Sequence, residues 1–167
     1  TYTLHLAGAA GGDKRQLVGT ALERGAPAHV PRQQLAAGSD AYAGFNLLVG
    51  ARRSLGVLEG TSGKVRMLEP GVYGLSNHLL DTPWPKLLKA RTGLAELLPR
   101  LPDDDAALAL LRDATPAPDP HLPNAGMSQE WERWLSSAFI RAPDYGTRCS
   151  SLVAVERSGN IRLREWT

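Results

Sequence analysis

The sequence predicts an α+β fold, and three observations carry the prediction. Hydrophobic periodicity changes from helical to extended near Gly44 and returns to helical near Trp84. Between those points lie four short apolar runs separated by turn residues. The chain closes on residues 152–155 and 161–166 around Ser158-Gly159-Asn160, the clearest hairpin in the sequence. The order helix, helix, strands, helices, strands places helices against sheet faces. At 167 residues the chain should bury roughly 70% of its unfolded surface, enough for one domain with a core that needs no staples. Seventeen glycines and twelve prolines stay short of the roughly 25–30% that marks disordered chains, so the chain folds with many turns.

Residues 2–6 alternate as a strand and run into an Ala/Gly-rich loop over 7–12. Asp13 caps a helix through Arg24, with Leu17, Val18, Ala21 and Leu22 on one face and Gly25 as its stop. A second short helix runs from Pro31 to Gly38, since Pro suits the first turn and Gly the position after the last. Residues 45–49, 55–58, 65–68 and 72–76 read as four strands of an antiparallel meander, with Gly60-Thr61-Ser62-Gly63 as one turn and Pro70-Gly71 opening the fourth. Residues 84–98 follow as a helix whose broad face carries Leu87, Leu88, Arg91, Leu94, Ala95, Leu97 and Leu98. Asp103-Asp104-Asp105 reads as the acidic N-terminus of a helix to Asp113. The rival reading, a metal-binding carboxylate cluster, suffers because neighbours on a helix do not point at one ion. The four prolines of 115–123 mark a loop or internal linker, because too little chain follows for a second core. Ser128 caps a short helix bearing Trp131, Trp134 and Leu135. Residues 152–155 are apolar on both faces, which predicts a central strand covered on both sides, and the alternation of 161–166 turns Ile161 and Leu163 inward.

Nineteen Lys and Arg against seventeen Asp and Glu leave a formal charge of +2 without a basic stripe. That argues against a nucleic-acid partner. No apolar run approaches the roughly 18 residues of a membrane helix, and no secretory signal pattern opens the chain. The lone Cys149 excludes an internal disulfide and multi-cysteine metal centres, and it fits a reducing, cytoplasmic setting. The four histidines are scattered without ligand spacing, and phosphate-binding, dinucleotide, zinc-protease and serine-hydrolase motifs are absent, so no metal or cofactor is expected.

Three stretches are dense in backbone-directing residues: Gly44-Phe-Asn-Leu-Leu, Pro70-Gly-Val-Tyr-Gly-Leu-Ser-Asn running on to Leu80-Asp-Thr-Pro-Trp-Pro-Lys, and Tyr145-Gly-Thr-Arg with its following strand. In these, from about Leu17 to the C-terminus, the chain resembles the NRDE family, which includes the transport and Golgi organisation protein two homologues. The family's Arg-Gly before Leu-Val stands here as Arg15-Gln16. The resemblance implies an N-terminal-nucleophile-hydrolase-like αββα sandwich, similar to cysteine amidohydrolases whose terminal Cys attacks an amide with its own α-amino group as base. This chain has neither that terminal Cys nor the Asn-Arg-Asp-Glu string, so the resemblance implies that 1–167 is the C-terminal portion of one family domain, incomplete at its N-terminus and inactive alone.

Carried over by resemblance, Asn77 stands where related amidohydrolases place a donor to the tetrahedral oxyanion; a left-handed turn position is its other reading. Arg148 matches an arginine beside the nucleophile, or else pairs with a carboxylate or strand-end carbonyls. Cys149 reads as a small apolar residue at a strand start. Thr1 is a chemically legitimate N-terminal nucleophile, or simply a boundary of the chain. Tyr73, Ser76, Trp84, Tyr145 and Thr147 complete a ligand pocket. The implied function is hydrolysis of a linear amide C–N bond in a small molecule. The alternative is a non-catalytic carrier of a hydrophobic ligand, haem or acyl-CoA and lipid, with Trp84, Trp131 and Trp134 as ligand walls or as core. Open sheet edges predict a homodimer or poor solubility.

Overall fold

The computed structural model describes residues 2–5, 45–51, 54–60, 62–76, 78–156 and 158–167. The helices expected over 13–24 and 31–38, together with Thr1 and Asn77, lie outside them. In chain order the elements are β1 (Tyr2–His5), β2 (Asn46–Ala51), β3 (Ser54–Glu59), β4 (Lys64–Leu68), α1 (Pro85–Leu97), α2 (Asp104–Leu111), α3 (Gln129–Leu135), β5 (Arg141–Ala142), β6 (Tyr145–Gly146), β7 (Ser150–Val155) and β8 (Ile161–Trp166). Helices and sheets are mixed, as an α+β chain requires. Contacts divide the chain into two units, Thr1–Ala7, Val72–Ser76 and Asp81–Thr167 in one, Gly8–Gly71 and Asn77–Leu80 in the other.

The second of these units holds an antiparallel meander in the order β2-β3-β4. Its central strand buries the consecutive residues Val57 and Leu58, one on each face, which is why the run is apolar without alternation. The β3–β4 turn needs a positive φ, and Gly63 supplies it at 63°. Phe45 is buried and accepts the Gly60 N–H at 2.8 Å. Polar side chains of this unit hold the segment 78–80. Asn46 Nδ2 donates to the His78 carbonyl at 2.8 Å, and Glu59 Oε1 accepts the Leu80 N–H at 2.9 Å.

The fourth strand expected over 72–76 does not form. Its backbone bonds go elsewhere: Gly74 N–H donates to Asp81 Oδ1 and Gly74 C=O accepts from Asp81 N–H, both at 2.8 Å. A Cβ on Gly74 would overlap the side chain of buried Leu87, so the segment takes a close path over α1 rather than a pleated one.

In the other unit the sheet order is β1-β7-β8, all antiparallel, with Tyr2 opposite Ala154 and Val155 opposite Ile161. α1 begins with Pro85 at its first position, as a missing N–H allows. α2 is capped by Asp103, whose Oδ1 accepts the Ala106 N–H at 3.0 Å. α3 is capped by Ser128 Oγ. Leu97, Ala107 and Leu152 form the buried centre, with Leu101, Ala106, Leu110 and Trp166 packed around it. The proline-rich stretch is anchored on both flanks: Ser136 Oγ accepts the Ala117 N–H at 2.8 Å, and Asp119 takes two bonds from Arg133.

β8 reverses the expected parity. Ile161 and Leu163 are 71% and 67% exposed, whereas Arg162, Arg164 and Trp166 occupy the face that Leu152 and Ala154 share with the core. The physical reason is Asp104, in the first turn of α2, whose Oδ2 receives both Arg162 Nη1 and Arg164 Nη1. Two charge-assisted bonds to one carboxylate make the arginine face the satisfied one.

Candidate functional site

Within the sequence signature, Gly74 and Asp81 close on one another through two hydrogen bonds. Asp81, at φ 58°, is the sole positive-φ residue other than Gly among the described residues. Such a conformation costs roughly 1–2 kcal/mol for an L-residue and needs over-determination to persist. The over-determination is visible: besides its two backbone links to Gly74, Asp81 Oδ1 accepts Arg91 Nη1 at 3.1 Å. One carboxylate oxygen thus ties a loop's two ends to the second turn of α1.

Arg91 also lines an open groove of about 650 Å³ with Val72, Thr92, Ala95 and Glu96. The groove carries one positive and one negative side chain beside an apolar wall. Arg91, expected on the apolar face of α1, instead faces the clamp, and Leu88 and Leu98 of the same predicted face are exposed.

Of the residues expected in the pocket, Tyr73 and Ser76 are half-buried on either side of Gly74. Trp84 occupies the cap position of α1, where its carbonyl accepts the N–H groups of Leu87 and Leu88. Lys86 Nζ lies 5.5 Å from the Trp84 ring and donates to Leu135 C=O at 2.9 Å. Burial pushes the Lys86 ammonium below its usual pKa.

A second cluster lies around Tyr145. Thr147 is bonded twice to Ile140, accepting its N–H through Oγ1 at 2.9 Å and donating N–H to its carbonyl at 3.0 Å. Those bonds extend the two-residue β5–β6 bridge and fix the turn that presents Tyr145. The exposed Tyr145 ring meets Trp131 edge-on at 6.2 Å, and Trp131 meets Trp134 at 5.3 Å and 88°. Arg148 is exposed and makes no ion pair with a carboxylate among the described residues. Its Nη2 lies 3.9 Å from the sulfur of the half-buried Cys149. The structure therefore joins Tyr145 to Trp131 and, through it, to Trp134, and Arg148 to Cys149.

Asp81, Arg91 and Glu59 were not anticipated. Asp81 sits inside the Leu80-Asp-Thr-Pro-Trp string, where an Asp just ahead of a helix start signals a side chain that bonds nearby backbone. Glu59 bonds Leu80 across 21 residues and Arg91 bonds Asp81 across 10, and neither leaves a local signal. Among the described residues no helix is long and apolar enough to cross a membrane.

Comparison with known proteins agrees with the signature. The transport and Golgi organization protein 2 homolog of Bos taurus is 37% identical over 110 residues, covering 59% of this chain and 39% of its own length. The Homo sapiens homolog is 32% identical over 139 residues, covering 74% and 50%, and that of Mus musculus 32% over 110 residues, covering 59% and 39%. The chain thus spans about two-fifths to one half of the length of these curated relatives. The sequence model of the family described as Transport and Golgi organisation 2 matches residues 13–167, and the chain belongs to that family.

Proposed function

We propose that these 167 residues supply the substrate-orienting part of a hydrolase acting on linear amides, on an N-terminal-nucleophile-like αββα scaffold, with the nucleophile provided by polypeptide outside them. The observation that carries the reading is the Gly74–Asp81–Arg91 clamp. It spends backbone strain and an ion pair on the ends of the segment that contains Ser76 and Asn77. Strain maintained by surrounding structure clusters at active sites and ligand clamps. In this reading Asn77 donates to the oxyanion as the tetrahedral centre forms, and Arg148 orients the attacking group. The groove beside Arg91 admits the acyl chain.

The test is turnover of acyl-amide substrates by a relative that spans the whole family length. The expected result is a loss of roughly 10²–10³ in kcat for the variant at the position equivalent to Asn77, as for removal of one oxyanion donor. Unchanged turnover in that variant and in one lacking the N-terminal cysteine would end the reading.

A carrier function is the second reading, favoured by the exposed edge-packed rings of Trp131 and Tyr145. Haem or long-chain acyl-CoA would then quench tryptophan fluorescence saturably at micromolar ligand. A linear, non-saturating response would count against it.

A further inference from the structure

β8 closes one side of its sheet, and no described residue pairs with its outer edge. The sheet order is β1-β7-β8, and the hydrogen bonds of Ile161–Trp166 to the described residues all run to β7 on the inner side or through the side chains of Arg162, Arg164 and Glu165. Alternate residues of this extended backbone therefore direct N–H and C=O groups away from β7, with no partner among the described residues. Natural edges are blunted by proline, a bulge, short length or charge. β8 is as long as its partner and pairs with it in unbroken register from Ile161 to Trp166, and its charges, Arg162, Arg164 and Glu165, restrict which strand can pair with it.

The two faces of this edge differ in chemistry. One carries Ile161 and Leu163, the two most exposed large apolar side chains among the described residues, with Glu165 beyond them, whose carboxylate accepts the Ser151 hydroxyl at 3.0 Å. The other carries Arg162 and Arg164, 40% and 51% exposed, which share a single Asp104 carboxylate that is itself only 10% exposed. Three charges of this kind leave a net positive charge along the arginine face. Both guanidinium groups keep donors beyond the one each gives to Asp104.

A second copy of the chain does not suit this edge. Antiparallel pairing of β8 with itself about a two-fold axis normal to the sheet places residues of the same face opposite one another. In registers centred on residues 162, 163 or 164, an arginine then faces an arginine. Like charges directly opposite destabilise a strand pair. The complementary occupant alternates apolar and acidic residues, with its carboxylates on the side of Arg162 and Arg164.

We propose that the outer edge of β8 is a strand-addition site for an extended segment of a separate polypeptide in which apolar and acidic residues alternate. Main-chain bonds to β8 supply affinity, and the two arginines select the carboxylates, as in other strand-addition recognition. The proposal is independent of the amide-hydrolase reading, because no residue of the clamp or of the Tyr145 cluster takes part.

The experiment is hydrogen exchange of the 161–166 amides, read by mass spectrometry on the 167-residue protein with added synthetic peptides. A peptide alternating Val and Glu should protect these amides saturably, and protection should weaken as salt is raised. The peptide with Lys in place of Glu should protect far less. Arg164→Gln should weaken the acidic peptide about fivefold, the scale of one partly exposed ion pair. Ile161→Thr with Leu163→Thr, both at exposed positions, should weaken both peptides without loss of fold. Equal protection by the Glu and Lys peptides, or none by either, overturns the proposal. So does protection without peptide: if it rises with protein concentration the occupant is a second copy, and if it does not the chain covers its own edge.

Discussion

At Gly74 a single hydrogen atom decides the path of the chain. A methyl group there would meet the side chain of Leu87, which is buried and has little room to turn aside. Gly74→Ala should cost about 1–3 kcal/mol in urea unfolding, the usual scale of overpacking. Because the obstacle is one neighbour, Gly74→Ala combined with Leu87→Ala should cost less than the two separate losses added together. Full additivity would place the constraint elsewhere, in the backbone bonds to Asp81. The same residue-scale logic constrains the signature at both ends: Gly74 must be bare, and Asp81 accepts two bonds while holding a left-handed φ.

Among the elements, the contact of α2 with β8 has the most definite electrostatic character. The Asp104 carboxyl is held below its ordinary value of 3.8, first by the hydrogen bond from Arg164 and then by Arg162, against the opposing effect of burial. A depressed carboxyl pKa means that the folded chain binds fewer protons than the unfolded one in acid. The stabilisation is therefore complete above the ordinary value and is lost as pH falls through it towards the folded value. Asp104→Asn should show a clear stability deficit near pH 6 that narrows near pH 3, by denaturant titration at each. An equal deficit at both would mean that the charge of Asp104 contributes nothing. This contact also marks where sequence reasoning failed. The hairpin, both its strands and the acidic cap of α2 were legible from turn residues and charge. The facing of β8 was not, because alternation names two faces without saying which is inner, and the deciding partner lies some 60 residues away. For residues 72–76 the apolar pattern was extended, yet side-chain and backbone bonds to Asp81 took the place of a ladder. Trp131, Trp134 and Tyr145 were legible as candidates by type, but their edge-to-edge assembly depended on the unforeseen β5–β6 bridge.

At the scale of the whole molecule the two units differ in how far apart their pairing partners lie along the chain. The meander β2-β3-β4 is built from residues 46–68, each strand paired with its sequence neighbour. The sheet β1-β7-β8 joins opposite ends of the chain, with Tyr2 opposite Ala154 and His5 opposite Ser151. Closing a loop of about 150 residues costs more entropy than closing a turn, and contacts so remote form late. Pulse-labelled hydrogen exchange during refolding should find the 54–59 amides protected before those of 2–5, and simultaneous protection would contradict this order. On a ribosome the contrast becomes one of timing. The meander has all its partners as soon as residue 68 emerges, whereas β1 must wait for residues about 150 positions further along before its ladder can form.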